Sequence, residues 1–386
     1  MKAEVARGHD RYPCLDGLRA FAVTLVFVFH GSLGSAWIAR HAGRYIVHFN
    51  IGVEIFFVLS GFLIYRPFVS AHLAGTHAGS LRNYSLRRFL RIFPAYWLAL
   101  FLLLLLGDID VNGTTGLLKH ATLTNTYFHD IGGLGIAQSW TLVVELSFYV
   151  FVPLWALCIR AASRGRFPVR FEVAGALGLI LVGYSSSAWV FYGSPPPAMS
   201  VLPPGFGALG AGMLLAVLSA AGSRDARLAA HTSVLGRAPA VSWSVALLLF
   251  LYLAWRPYNF LASTPSELMW DRALKIPIAL LLVLPAVFGD QHDGPVRRLL
   301  RAAPVAYLGL VSYGMYLWHA RVTAHIATPD ALNNHGTVFA IGALVLAYGA
   351  TVVVASASYF VVERPVLRLA RRPRVATREP SGSGRR

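Results

Sequence analysis

Arg19 and His30 are eleven residues apart, very nearly three helical turns, so in one helix they share a face. At 1.5 Å per residue His30 stands ~16 Å further along the axis. An imidazole titrates near neutral pH and can take a proton from a hydroxyl, which makes His30 a candidate general base. Asp16 lies one turn before Arg19. Glu145 and His319 are further ionisable groups in otherwise apolar stretches, and Glu54 enters such a stretch about one turn from its start. Helical rise along these stretches places His30, Glu145 and His319 at a similar depth, so Glu145 or Arg19 is expected to tune His30, with His319 as a second imidazole. A different chemistry is suggested by Arg87, Arg88 and Arg91, with Arg82 close behind. Three guanidiniums suit a polyphosphate. A phosphate site at one end and a base deeper inside imply a donor that reaches into the protein.

The elements that must position these groups are set by composition. The chain has 386 residues, 56% hydrophobic and 13% charged, with a mean hydropathy of +0.57. A soluble domain carries about a quarter charged residues, and this much exposed apolar surface would aggregate in water. Disorder requires low hydrophobicity and is excluded. A bilayer core takes about twenty apolar residues per helix. Ten segments fit: Leu18–Ile38, Ile51–Val69, Ile92–Leu106, Ser139–Ile159, Val173–Tyr192, Gly205–Ala221, Val241–Trp255, Ala273–Phe288, Val305–Ile326 and Val338–Val362. With the N-terminus inside, the only basic residues outside are Arg40, Arg44, Lys119, Arg256, Arg272, Lys275 and Arg321, against 34 Lys and Arg in all. That asymmetry follows the positive-inside rule. The expected fold is therefore all-α, a polytopic protein of the plasma (inner) membrane with ten transmembrane helices and both termini cytoplasmic. Residues 1–370 form the transmembrane domain, and 371–386 a basic, disordered tail. The formal charge of +17 then reflects topology anchors facing an anionic leaflet, and no nucleic-acid partner is required.

Other features have plainer readings. Cys14 and Cys158 are the only cysteines, too few for a disulfide framework or a four-ligand zinc site, and no metal is expected. Gly205, Gly207, Gly210 and Gly212 resemble a dinucleotide fingerprint, but no strand precedes them, so close helix packing is the expectation. His72 and His77 read as solvated loop histidines. Trp37, Trp97, Trp189 and Trp255, near segment ends, read as interfacial belts.

Six short blocks, in order along the chain, give a family resemblance. They are Leu15-Asp16-Gly17-Leu18-Arg19-Ala20 running on to His30; Gly52 to Ile64, which includes Glu54 and Ser60; and Arg88-Phe89-Leu90-Arg91-Ile92-Phe93-Pro94. The others are Ser139-Trp140-Thr141-Leu142-Val143-Val144-Glu145, Ser312-Tyr313-Gly314-Met315-Tyr316-Leu317-Trp318-His319, and Glu363-Arg364-Pro365. The ordered set resembles the acyltransferase-3 family of integral membrane acyltransferases. The resemblance implies transfer of an acyl group, usually acetyl, from acyl-CoA (acetyl-CoA as cosubstrate) to a hydroxyl. It matches His30 to the catalytic histidine, Arg19 to its paired arginine, and Arg88 and Arg91 to a pair linked to donor binding. Asp16, Glu54, Ser60, Trp140, Tyr313 and His319 form a second rank of site residues. Glu54 stands where the family often carries aspartate.

Implied acceptors are hydroxyl-bearing glycans, glycolipids or secondary metabolites. Arginine outnumbers lysine 31 to three, a composition typical of GC-rich bacterial genomes. The rival reading is a proton-coupled transporter or flippase with His30, Glu145 and Glu54 as a relay. It requires inverted repeats between two halves, and the motifs clustered in the first half have no counterpart in the second.

Overall fold

The computed structural model describes residues 12–128, 135–258 and 263–370. Residues 1–11, which carry Lys2, Arg7 and Arg11, and the tail from 371 lie outside the described residues. Among those described, all regular structure is helical. The long helices are α1 (Leu15–Ser32), α2 (Ile51–Leu73), α3 (Leu81–Leu105), α4 (Trp140–Ser163), α5 (Pro168–Tyr192), α6 (Leu202–Gly222), α7 (Pro239–Trp255), α8 (Pro265–Val287), α9 (Ala303–Ile326) and α10 (Thr337–Ser358). Each apolar segment marked in the sequence falls on one of them. Among the described residues, seven helical stretches are long and apolar enough to cross a membrane, and up to eight if the bent pair Ala226–Val234 and Pro239–Trp255 forms one span. α8 carries Asp271, Arg272 and Lys275, and α9 carries His319, Arg321 and His325, which dilute their apolar character.

Boundaries differ from the sequence reading where local chemistry intervenes. α1 stops at Ser32 instead of Ile38. Gly34 follows, and Ser35 caps a separate short helix (Ala36–His41) by accepting the Ile38 N–H. α3 begins at Leu81, eleven residues earlier than expected, so Arg82, Arg87, Arg88 and Arg91 are helical. α8 also begins early, where N-cap Thr264 and Glu267 form a reciprocal capping box across Pro265. α10 passes through one π-helical turn, Tyr359–Glu363, into a last short helix, Arg364–Ala370.

Several charges and polar groups expected at the surface are buried. Arg297 is 2% exposed, its guanidinium donating to the carbonyls of Pro285, Gly236 and Phe288, where the end of α8 offers unpaired acceptors. Lys275 is 1% exposed and donates to Asp271 at 2.6 Å and Asn50 at 2.5 Å; Asp271 in turn holds His48 at 2.8 Å. His72 is no solvated loop residue. It lies on the last turn of α2, with Nδ1 2.5 Å from Glu172 and Nε2 3.1 Å from Ser163, while Tyr65 donates to the other Glu172 oxygen at 2.5 Å. This knot ties α2, α4 and α5 together. Its Ser–His–Glu order resembles a catalytic triad, but Ser163 is 2% exposed at a helix end that presents carbonyls, and it also donates to Arg160 O.

Glycine sets the closest helix approaches. A Cβ on Gly61 of α2 would lie 2.1 Å from the Leu209 carbonyl oxygen of α6, and one on Gly212 would lie 2.1 Å from the Val58 carbonyl oxygen of α2. The Gly205–Gly212 run is thus a packing surface, the small-residue contact by which membrane helices associate. Gly309 of α9 similarly admits the Asp16 carbonyl of α1. A Gly212→Val variant must push α2 and α6 apart along backbone, and overpacking of this kind destabilises by about 3 kcal/mol or more. Thermal unfolding of detergent-purified protein checks this; a variant as stable as the parent would contradict the contact.

Candidate active site

Five helices converge on one partly open cavity of about 120 Å³. Arg19 reaches it from α1, Ser60 from α2, Arg88 and Arg91 from α3, Glu145 and Tyr149 from α4, and Tyr313 and Tyr316 from α9. Arg88 and Arg91, three residues apart on a helix, project to the same side. Arg19 is paired with Asp16 at 2.7 Å. Arg91 lies 3.8 Å from Glu363, whose carboxylate is 3% exposed and has no hydrogen bond among the described residues. Arg88 has no acidic partner there; its guanidinium lies over the rings of Tyr84 (5.6 Å) and Tyr149 (5.3 Å). Glu145 Oε1 accepts hydrogen bonds from Tyr149 at 2.5 Å and Ser60 at 3.2 Å.

The two histidines form a second centre. His30 and His319 approach to 3.1 Å between Nδ1 and Nε2, joining α1 to α9. His319 is fully buried and its Nδ1 lies 2.9 Å from the Tyr316 carbonyl oxygen. A carbonyl only accepts, so Nδ1 carries the hydrogen, and the neutral ring presents an Nε2 lone pair. His30 Nδ1 lies 3.0 Å from the Val26 carbonyl, so it too carries a hydrogen, which also faces His319 Nε2. This hydrogen-bond network assigns the free lone pair of His30 to Nε2. An imidazole oriented by a second group through one nitrogen, with the other bare, has the form of a general base.

Glu145 does not join this pair. Its contacts lie in the cavity with α2 and its own helix, whereas His30 meets α9, and no hydrogen bond or ion pair links the two among the described residues. Equal depth does not imply facing positions. Between Arg19 and His30 the shared face of α1 is occupied by Val23 and Val26, both buried against Phe56 and Tyr316. Phe56 and Tyr316 also line the cavity, and Tyr316, with its ring 5.8 Å from that of His319, stands between the two centres. The Tyr316 hydroxyl is held by Thr141 at 2.8 Å and its carbonyl by His319.

The remaining sequence candidates lie elsewhere. Glu54 faces Arg272 at 3.7 Å, on the opposite side of α2 from the cavity. Arg87 is exposed on α3, and Trp140 is 43% exposed at the start of α4. Tyr84, Tyr149 and Tyr316 were missed by the sequence reading. The spacing Tyr84 to Arg88 and Glu145 to Tyr149, each four residues, was the available signal.

Residues 12–359 match the acyltransferase-3 family, described as an acyltransferase domain. The chain is 28% identical over 399 residues to "Acyltransferase MdmB" of Streptomyces mycarofaciens, covering 95% of each chain. It is 25% identical over 403 residues to "Putative peptidoglycan O-acetyltransferase YrhL" of Bacillus subtilis (strain 168), covering 93% of this chain and 55% of that one. It is 23% identical over 338 residues to "Putative O-acetyltransferase SACOL0978" of Staphylococcus aureus (strain COL), with 81% and 51% covered. The chain thus spans about half the length of these last two relatives. No solved structure matches it significantly. With the match running from Tyr12 to Tyr359, the chain belongs to the acyltransferase-3 family.

Proposed function

We propose that the protein is a membrane O-acyltransferase that moves an acyl group, acetyl in the first instance, from acyl-CoA to a hydroxyl of a glycan, glycolipid or secondary-metabolite acceptor. In this reading the helices cross the plasma membrane ten times with both termini in the cytoplasm. The observation that carries the reading is a cavity holding three guanidiniums, one without an acidic partner, on the same bundle as a histidine with a free Nε2 lone pair. The relatives' names, O-acetyltransferase and acyltransferase, support the same chemistry.

The donor's phosphates are held by Arg88 and Arg91, with Arg19 beside them and Arg87 left as a cytoplasmic anchor. Phosphate is recognised well by the planar guanidinium fork. The flexible arm between phosphates and thioester covers the three turns from Arg19 toward His30. His30 Nε2 takes the proton of the acceptor hydroxyl as its oxygen attacks the thioester carbon. The carbon–sulfur bond breaks, and the thiol leaves with a proton returned through the histidine. His319 holds the His30 ring in the productive orientation, and Glu145 shapes the cavity through Tyr149 and Ser60.

Two sets of variants test this. Replacing Arg88 and Arg91 together by alanine removes charge-assisted contacts worth ~1.5–3 kcal/mol each, so coenzyme A binding measured by calorimetry weakens a hundred-fold or more. Lysine at both positions restores only part, since the fork is lost. Unchanged binding in the alanine pair assigns both residues to topology alone. His30→Gln can still hydrogen-bond to His319 but cannot act as a base. Its turnover in an acyl-transfer assay falls by ~10²–10⁴, with donor binding retained. Near-parental transfer by that variant removes His30 from the chemistry.

A further inference from the structure

The fully buried cations described above have oxygen partners: Arg297 has three carbonyls, and Lys275 has Asp271 and Asn50, whereas Arg88 is half-buried. Arg88 lines the cavity with neither an ion pair nor a hydrogen bond among the described residues. What holds it is aromatic. Tyr84 lies four residues earlier on α3, one turn away on the same face. Tyr149 comes from α4, across the interface.

Both rings are fixed through their own hydroxyls. Tyr84 donates to the Tyr149 carbonyl at 3.0 Å, and Tyr149 donates to Glu145 at 2.5 Å. Arg91 makes a similar ring contact, 5.7 Å from Tyr313, whose hydroxyl donates to the Ile92 carbonyl at 2.8 Å, but it also faces Glu363. The consequence concerns which part of the guanidinium is engaged. A carboxylate takes the N–H edge, the part that also binds phosphate. A ring attracts the cation through its negative π-face and makes no hydrogen bond to that edge.

We propose that Tyr84 and Tyr149 are positioning residues that hold Arg88 by π-contact, so that its N–H donors stay available for the donor's phosphates. The inference rests on the donor-binding role proposed for Arg88. A carboxylate in place of either ring would compete with the phosphate; an aliphatic residue would leave the guanidinium free to turn away. The aromatic contact avoids both.

The test measures coenzyme A binding by calorimetry, and KM and kcat for acyl-CoA, on the purified full chain. Tyr84→Leu raises Kd and KM about ten-fold, the range of a desolvated cation–π contact, while kcat at saturating donor stays within two-fold. Tyr84→Phe keeps the ring and retains affinity within three-fold. Combined with Arg88→Ala, Tyr84→Leu adds no further loss, because its effect passes through Arg88. Should the leucine variant fail to fold, Tyr84→Phe carrying one, two or three ring fluorines keeps the shape and empties the π-face. Affinity then falls with each fluorine. A flat fluorine series, equal losses in the Phe and Leu variants, or additive losses with Arg88→Ala overturns the clamp. If Arg88→Ala itself leaves donor binding intact, it is the donor-site reading that fails.

Discussion

Arginine keeps its charge in any protein environment, and that single fact organises this molecule. Arg19, Arg88 and Arg91 are gathered round one cavity inside a bundle whose outer surface is apolar. Partly removing such a cation from water is costly unless something replaces the lost hydration. The bundle supplies replacements of different strength. Asp16 pairs closely with Arg19, Glu363 stands loosely by Arg91, and Arg88 has only tyrosine rings. The acids and aromatics that meet these three arginines come from α1, α3, α4 and α9 and from the π-helical turn after α10. Charge compensation at the cavity therefore determines which helices must converge there.

The other polar networks show what a satisfied interior looks like. His48, Asp271, Lys275 and Asn50 bond to one another across the start of α2 and α8. His72, Glu172, Tyr65 and Ser163 do the same at the other end of α2. A satisfied buried network rigidifies the structure around it. These knots pin the ends of α2, and its middle packs on α6 through Gly61 and Gly212, where backbone meets backbone. α2 is consequently held along its whole length, and it presents Ser60 and Phe56 to the cavity from a fixed position.

Separation of the cavity from the histidine pair follows from side chains of α1, α2 and α9. Arg19 and His30 share a face of α1, but Val23 and Val26 intervene, covered by Phe56 and Tyr316. Tyr316 belongs to both centres, since its ring lines the cavity while its carbonyl sets the His319 tautomer. In the proposed reaction the donor arm passes Tyr316 on its way from the phosphate site to His30.

The sequence by itself determined the helical class, the apolar segments, the family and most of the residues round the cavity. Composition and segment length are local properties, and apolar runs of this length have few alternatives to helix in a bilayer. Spacing along one helix was equally legible: Arg19 with His30, and Arg88 with Arg91, share faces because 3.6 residues make a turn. Facing across helices was not legible. His30, Glu145 and His319 were matched in depth, yet only the two histidines meet, because rotation of each helix about its axis is decided by its neighbours. Glu54 turned to Arg272, and His72 turned inward to Glu172, for the same reason. Helix ends also escaped the sequence where a polar segment continued the helix, as with Leu81 to Arg91. The tyrosines round Arg88 belong to this class. Their role depends on contacts between α3 and α4, and only tertiary packing brings those faces together.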